Sequence, residues 1–372
     1  MADYRLVYTR LNTGEVVGEF PVLSLGWSEA INSPGSVSAS LLLEDTYAFE
    51  AADAAASSTV ETVVSPQLVT LDTVVPGATG VYVERDGQIM FGGILWAAQL
   101  DVAGSTLNIT AEGFLSYFDR LYISDTLTYS AVDQGALVKS IIDYAQAKPG
   151  AAALLTVPTP AVSRTRDRSY LAHDRKSVGE AISDLAAVVD GFDYCVTHGW
   201  NVSDDGIDST FTIETNLLGR LTEYVFELGV NVSLLSMSLD GSGLANFTEA
   251  IGNAGENTIL SGFAFDSPAL NTYPLLETVE HFSDITVMDT LTGKAELALK
   301  RGLNPFRRVS LEVYADAVPK LGSYRVGDRV TVRGSYGMLE LSGVYRIIEL
   351  GVSVDASGLE VVSLSLVPQE VF

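Results

Sequence analysis

Three histidines, one cysteine and forty-seven carboxylates are the chemistry-bearing stock of this 372-residue sequence. Hydrolytic catalysis needs a base held against a nucleophile, most often a histidine. His173 lies in Tyr170-Leu171-Ala172-His173-Asp174-Arg175-Lys176, just ahead of a helical pattern, and reads as a solvated loop residue. His198 precedes Gly199-Trp200 near a hairpin turn, and His281 sits in the extended Val279-Glu280-His281-Phe282; both read as structural. No serine stands in a Gly-x-Ser-x-Gly elbow. Paired carboxylates could serve a glycosidase, but among forty-seven acidic residues no pair is singled out.

Metal and phosphate chemistry find no better footing. With Cys195 as the single cysteine, an intrachain disulfide is impossible and a thiolate zinc site lacks ligands. Asn201-Val202-Ser203-Asp204-Asp205-Gly206-Ile207-Asp208-Ser209 spaces oxygens roughly as a calcium loop does. Thr212 stands where the closing Glu belongs, and strands flank the segment, so a polar hairpin turn is the better reading. Weak cation binding at Asn201–Asp208 stays open. Asp240-Gly241-Ser242-Gly243 lacks the third glycine of a dinucleotide fingerprint and is read as a turn or hinge. The basic stretch Ser163-Arg164-Thr165-Arg166-Asp167-Arg168-Ser169, continued by Arg175-Lys176, suits either a solvated loop or docking on an acidic neighbouring subunit. No residue is assigned a catalytic, cofactor-binding or metal role, no cofactor is implied, and the chain is not expected to be an enzyme.

The elements that would position any site are mostly strands. Arg5–Thr9, Ser36–Leu41, Val81–Glu84, Thr106–Thr110 and Thr210–Glu214 alternate apolar or small with polar residues between Gly, Asn and Asp turns, as half-buried antiparallel strands do. Residues 45–80, with Ala51–Ser58, Pro66 and Pro76-Gly77, read as a loop excursion. Helical patterns occur in three places. Asp133 caps one carrying Leu137, Val138, Ile141, Ile142 and Ala145 and stopped by Lys148-Pro149-Gly150. Ser177 and Glu180 form a capping box ahead of Val178, Ile182, Leu185, Ala186 and Val189, with Asp190-Gly191 as the stop. A third runs from Asp289 through Leu291, Ala295, Ala298 and Leu299 to Gly302. The first two, with the hairpin Phe192–Val196 to Phe211–Ile213, make a small α+β module between two β-rich regions.

Those two regions echo each other. Gln88–Trp96, with Gly92-Gly93, leads through Asp101–Gly104 into Leu107–Ala111; Met338–Arg346, with Gly343, leads through Asp355–Gly358 into Leu359–Ser363. Glycine inside a strand permits the bulges and bends that small barrels need at their corners, so a duplicated barrel is one reading and shared hairpin grammar the other.

Composition narrows the partners. The net charge is -25, with 47% hydrophobic and 19% charged residues, so an ordered chain of two or three domains is expected. The charge divides as -12 over residues 1–130, -5 over 131–219 and -8 over 220–372, so no region is basic enough to grip phosphates by counterion release. No apolar run reaches the ~18–20 residues of a membrane span, and Met1-Ala2-Asp3-Tyr4-Arg5 does not begin a secretory signal. Without such a signal the sequons at Asn108, Asn201, Asn231 and Asn246 carry little meaning, and synthesis in a cytoplasm is expected.

A family resemblance rests on ordered motifs across most of the chain. Met90–Trp96 followed by Leu107–Phe118, Trp27–Ser36, Val178–Ala186 before Gly191–Tyr194, Leu303–Arg308 and Tyr324–Val330 resemble the minor tail proteins of long-tailed phages infecting actinobacteria, tail-tip hubs related to baseplate hubs. The resemblance implies a mainly β fold with an α+β insertion: two tube-type antiparallel β-barrel domains plus a small peripheral α+β module. The boundaries are 1–120 for the first barrel, 121–219 for the module and 220–372 for the second barrel, which holds one helix near 290–301. It implies a homotrimer capping the sixfold tail tube, converting it to threefold symmetry and forming part of the DNA exit channel. Its partners would be the distal tail, tail tube and tape measure proteins and other tail-tip or spike proteins, at the tail tip of a virion made in a bacterial cytoplasm. No spike or lysin is expected after Val361–Val367. Acidic side chains are expected to face the channel and let DNA pass unbound. The alternatives are a distal tail ring component, or a receptor- or carbohydrate-binding tail protein stacking sugars on Trp27, Trp96 and Trp200.

Overall fold

The computed structural model of the protein describes residues 2–42 and 74–369, except 102, 104, 159–163, 189–190, 204–205, 215–217, 254–258, 283–284, 286 and 338. Most of the 45–80 excursion lies outside the described residues. The fold is mainly β with small α+β parts. No helix among the described residues is long and apolar enough to cross a membrane.

Among the described residues seven strands come first: β1 (Tyr4–Arg10), β2 (Val16–Pro21), β3 (Ser24–Ala30), β4 (Ser36–Leu42), β5 (Thr79–Arg85), β6 (Gln88–Asp101) and β7 (Thr106–Gly113). A one-turn helix, α1 (Leu115–Phe118), follows, then β8 (Leu127–Asp133), α2 (Gln134–Gln146), β9 (Thr165–Tyr170), α3 (Val178–Ala186), β10 (Asp193–Trp200) and β11 (Ile207–Glu214). The last part comprises β12 (Leu221–Glu227), β13 (Val232–Asp240), β14 (Phe247–Asn253), β15 (Ile259–Phe265), β16 (Glu277–Phe282), α4 (Met288–Gly302), β17 (Phe306–Val313), β18 (Arg329–Tyr336), β19 (Leu339–Val354) and β20 (Glu360–Pro368).

Strands from both ends of the chain form one thirteen-stranded sheet in the order β13-β17-β20-β19-β3-β4-β7-β6-β5-β1-β2, with β12 and β18 branching from β19. Within it the order β1-β5-β6-β7-β4-β3 recurs as β12-β18-β19-β20-β17-β13. The chain also visits corresponding strands in the same sequence. The repeat departs at one pairing, since β1 runs antiparallel to β5 while β12 runs parallel to β18. In each half one long strand changes partners midway. β6 pairs β5 through Ile94 and β7 from Gly93 onward; β19 pairs β18 through Arg346 and β20 from Tyr345 onward. Gly93 marks the first switch, and a Cβ there would stand 2.4 Å from the Glu112 carbonyl oxygen.

Burial follows which faces are covered. β7 and β4 alternate: Leu107, Ile109 and Ala111, with Val37, Ala39 and Leu41, point into a core shared by both halves, while Asn108 and Thr110 face out. β5 is buried at all seven positions because a second layer covers its other face. Leu6, Tyr8, Val81, Val83 and Phe91 join the shared core, whereas Val7, Tyr82, Ile89 and Ile94 point oppositely, into the core of the α+β module. In that module Leu137, Val138, Ile141, Ile142 and Ala145 are all fully buried, as the helical spacing requires. Asp133 accepts from the backbone N–H groups of Gly135 and Ala136, and Ser177 Oγ accepts from Glu180 N.

Two local expectations need correction. Helices are not confined to three places, because α1 adds a single turn, and four residues are too few to display a helical period. The Arg-rich stretch is not a loop: Thr165–Tyr170 is β9, paired with β8, and its Arg–x–Arg alternation is a strand's period of two. Residues 247–302 form a satellite in which β15-β14-β16 make a separate three-stranded sheet. Leu291 and Ala295 of α4 pack on Ala250 there.

Candidate assembly interface

The two halves meet along one ladder. β3 pairs β4 on one edge and β19 on the other, from Ala30↔Glu349 to Leu25↔Val354. Trp27 and Val352, opposed across this ladder, both belong to the shared core. A bidentate ion pair adds a second tie: Arg85 donates from Nε and Nη2 to the Glu360 carboxylate at 2.9 and 3.0 Å and from Nη2 to Asp316 at 3.0 Å. Tyr4 also donates to Glu360.

The module is pinned at the same joint. Arg346, 1% exposed, donates to Asp193 and to the carbonyls of Leu218 and Gly327. Asp193 also accepts from Asn32 Nδ2 and Leu218 N, while Asn32 Oδ1 accepts from Tyr194 N at 2.7 Å. One buried cation therefore ties β19 to β10 and to the segments carrying Leu218 and Gly327, while Asp193 and Tyr194 of β10 hold the β3–β4 turn. Sequence reasoning missed this pair, whose members are 153 positions apart; nothing local distinguishes either residue.

The residues with chemical potential are scattered through the scaffold. His173 is exposed beside Asp174, and His281 is exposed on β16. His198 is ringed by Tyr82, Phe91 and Phe114, and its Nδ1 lies 2.8 Å from Ser209 Oγ. Burial lowers its pKa to about 3, so the ring is neutral at ordinary pH. Burial raises the Cys195 thiol to about 12, leaving it an inert core group. A cavity of about 260 Å³ between β3, β6 and β10 is lined by Trp27, Glu29, Cys195, His198 and Arg325. Burial raises Glu29 to about 8 against the opposing charge of Arg325. Burial thus disfavours the charged forms of the carboxyl, the thiol and the imidazole in this cavity.

Trp27 is buried in the core, and Trp96 donates to Ser116 Oγ under the Arg120 guanidinium, 3.9 Å from the ring centroid. Trp200 is half-buried against the module core. The three do not share a surface for stacking sugars. The Asn201 segment is the β10–β11 turn, closed by Asn201 N to Gly206 O and by Ser203 N to Asn201 Oδ1. Among the described residues no group of three or more His, Cys, Asp or Glu is arranged to hold a metal. Arg166 donates to Gln134 Oε1 inside the module.

Exposed apolar side chains stand, among other places, on β13, on β6 and on the satellite sheet. β13 ends the sheet path, with Leu234, Met237 and Leu239 exposed, and Leu100 is exposed on β6 beyond its pairing with β5. On the satellite sheet the Phe247 and Phe263 rings stack with centroids 6.1 Å apart, and Phe263, Phe265 and Val279 are exposed. Apolar exposure at a sheet edge marks surfaces that monomeric proteins avoid leaving open.

No protein-family model matches the sequence, and no curated protein is similar to it. Solved structures are. A 43 kDa tail protein from a prophage of Shewanella oneidensis aligns over 100% of this chain and 99% of its own, at 12% identity and a TM-score of 0.65. The chain has the fold of phage tail proteins. A tail protein of Neisseria meningitidis aligns over 99% and 98% at 11% identity and a TM-score of 0.62. A prophage tail protein of Listeria monocytogenes aligns over 98% and 94% at 14% identity and 0.54. At such identities the likeness is one of fold.

Two stability measurements test this joint. Asp193→Ala strands the buried Arg346 charge and should cost about 3 kcal/mol or more in urea unfolding, while Asp193→Ala with Arg346→Met should recover part of the loss. For His198 the unfolded ring takes a proton near pH 6.5, but the folded ring resists protonation down to about pH 3. Stability is therefore lost as pH falls through that window. Unfolding of His198→Gln should show a shallower decline between pH 7 and 5 than the parent chain.

Proposed function

We propose that this chain is a structural virion protein, the hub of a phage tail tip. Three copies form a trimer that caps the sixfold tail tube, converts it to threefold symmetry and forms part of the DNA exit channel. The observation that carries this reading is the six-strand order repeated within one chain. Two similar units per chain and three chains supply six units to a sixfold tube. The whole-length likeness to tail proteins supports the same setting.

In this reading residues 1–120 and 220–372 are the two tube-type units, 121–219 is the peripheral module, and the satellite of 247–302 is an insertion between two strands of the second unit. The distal tail, tail tube and tape measure proteins are its neighbours, with other tail-tip or spike proteins beyond, at the tail tip of a phage resembling those of actinobacteria. The hub is not an enzyme; its carboxylates line the channel and repel the phosphates that pass.

Light scattering on the purified chain provides the test. The hub reading expects three times the 39.7 kDa of one chain. A six-copy ring would favour a distal tail component, and a stable monomer with glycan affinity a receptor-binding protein.

A further inference from the structure

The repeated strand order allows the internal junction to be transferred residue by residue to the edges left open. Both long strands carry a register shift at the same place, between Leu95 and Ala97 in the β6–β7 ladder and between Ile347 and Glu349 in the β19–β20 ladder. Aligning these bulges makes Ala97 the counterpart of Glu349. The ladders then run Ala97–Thr110–Ser38–Gly26 in the first half and Glu349–Ser365–Ser310–Ser236 in the second. Trp27 thus corresponds to Met237, Glu29 to Leu239, Leu350 to Ala98 and Val352 to Leu100.

In the first half the outer edge of β3 is occupied by β19. In its counterpart β13, Ser236–Asp240 pairs β17 alone among the described residues, and β6 from Ala97 to Leu100 pairs only β7. We infer that β13 of one copy pairs antiparallel with the Ala97–Leu100 stretch of β6 in a second copy of this chain, repeating between subunits the β3–β19 ladder that joins the two halves within one. The register places Met237 opposite Leu100, Leu239 opposite Ala98, and Ser238 opposite Gln99.

The distribution of apolar side chains agrees with that register. It puts Met237, Leu239, Leu100 and Ala98 on one face and Ser238 and Gln99 on the other. Trp27 and Val352, the counterparts of Met237 and Leu100, lie in the shared core, and Ala98 already packs against that core. Leu100, Met237 and Leu239, now 45%, 37% and 60% exposed, would be covered. A slip of one residue would bring apolar side chains opposite polar ones throughout. The contact is head-to-tail, using a different surface on each partner, and such contacts close into rings when the rotation permits. The number of copies rests on the trimer reading; the pairing itself rests on the strand order.

Cysteine cross-linking of the full chain tests the register, because directly opposed strand residues come within disulfide range. Leu100→Cys with Met237→Cys, and Ala98→Cys with Leu239→Cys, are expected to give covalent dimers and trimers on oxidation. Each single variant should remain uncross-linked, and Gln99→Cys with Met237→Cys, which faces opposite sides, should lose most of the product. Hydrogen exchange on the unaltered chain should show the amides of Ser236–Asp240 and Ala97–Leu100 gaining protection together on assembly. A trimer by light scattering with neither pair cross-linking overturns the interface and leaves the hub reading standing. Cross-linking without a trimer supports the pairing and overturns the copy number. A Met237→Cys variant that dimerises alone points to a symmetric β13–β13 contact and overturns the proposal, and absence of both trimer and cross-link overturns both.

Discussion

A strand's backbone N–H and C=O groups demand partners on both edges, and this fold is organised around where they are found. The first half ends at β3 and the second contributes the tail of β19; pairing the two satisfies both edges and turns two similar sheets into one. Because Trp27 and Val352 are delivered to the same side of that ladder, hydrophobic burial and backbone pairing reinforce each other there. A shift by one residue would expel both from the core, so the junction is fixed in register as well as in place.

The remaining layers are mounted on that joint. The α+β module covers the outer face of β1, β5 and β6, which is why Val7, Tyr82, Ile89 and Ile94 are buried opposite the shared core. Its orientation is held by Arg346, which gives up solvent for Asp193 and two carbonyls. Buried pairs of this kind add little net stability over apolar packing. Their value lies in directionality, since a guanidinium satisfied by three separate segments permits one arrangement of those segments. The neutral imidazole of His198 and the inert thiol of Cys195 fill space between the same layers.

What the sequence disclosed follows from how local the cause is. α2 and α3 are legible with their caps because Asp133 and Ser177 act on N–H groups two or three residues away. The β6–β7 and β19–β20 hairpins are legible as an echo because each is continuous in sequence. The full six-strand repeat is not, since β13 and β17 are separated by the satellite and β4 and β5 by residues 43–78. The Arg346–Asp193 pair and the parallel β14–β16 pairing join distant segments and leave no periodic trace. β9 was hidden for a different reason: its strand alternation is written in arginines, which hydropathy reads as solvent.

In the proposed assembly each chain carries two equivalent units, and three chains form a ring of six. Cryo-electron microscopy of the assembled chain measures this directly. Threefold symmetry with an approximate sixfold inner wall is expected, the ladder running without a break from one subunit into the next. A ring of three in which β13 stands unpaired, or a ring of six whole chains, would contradict it.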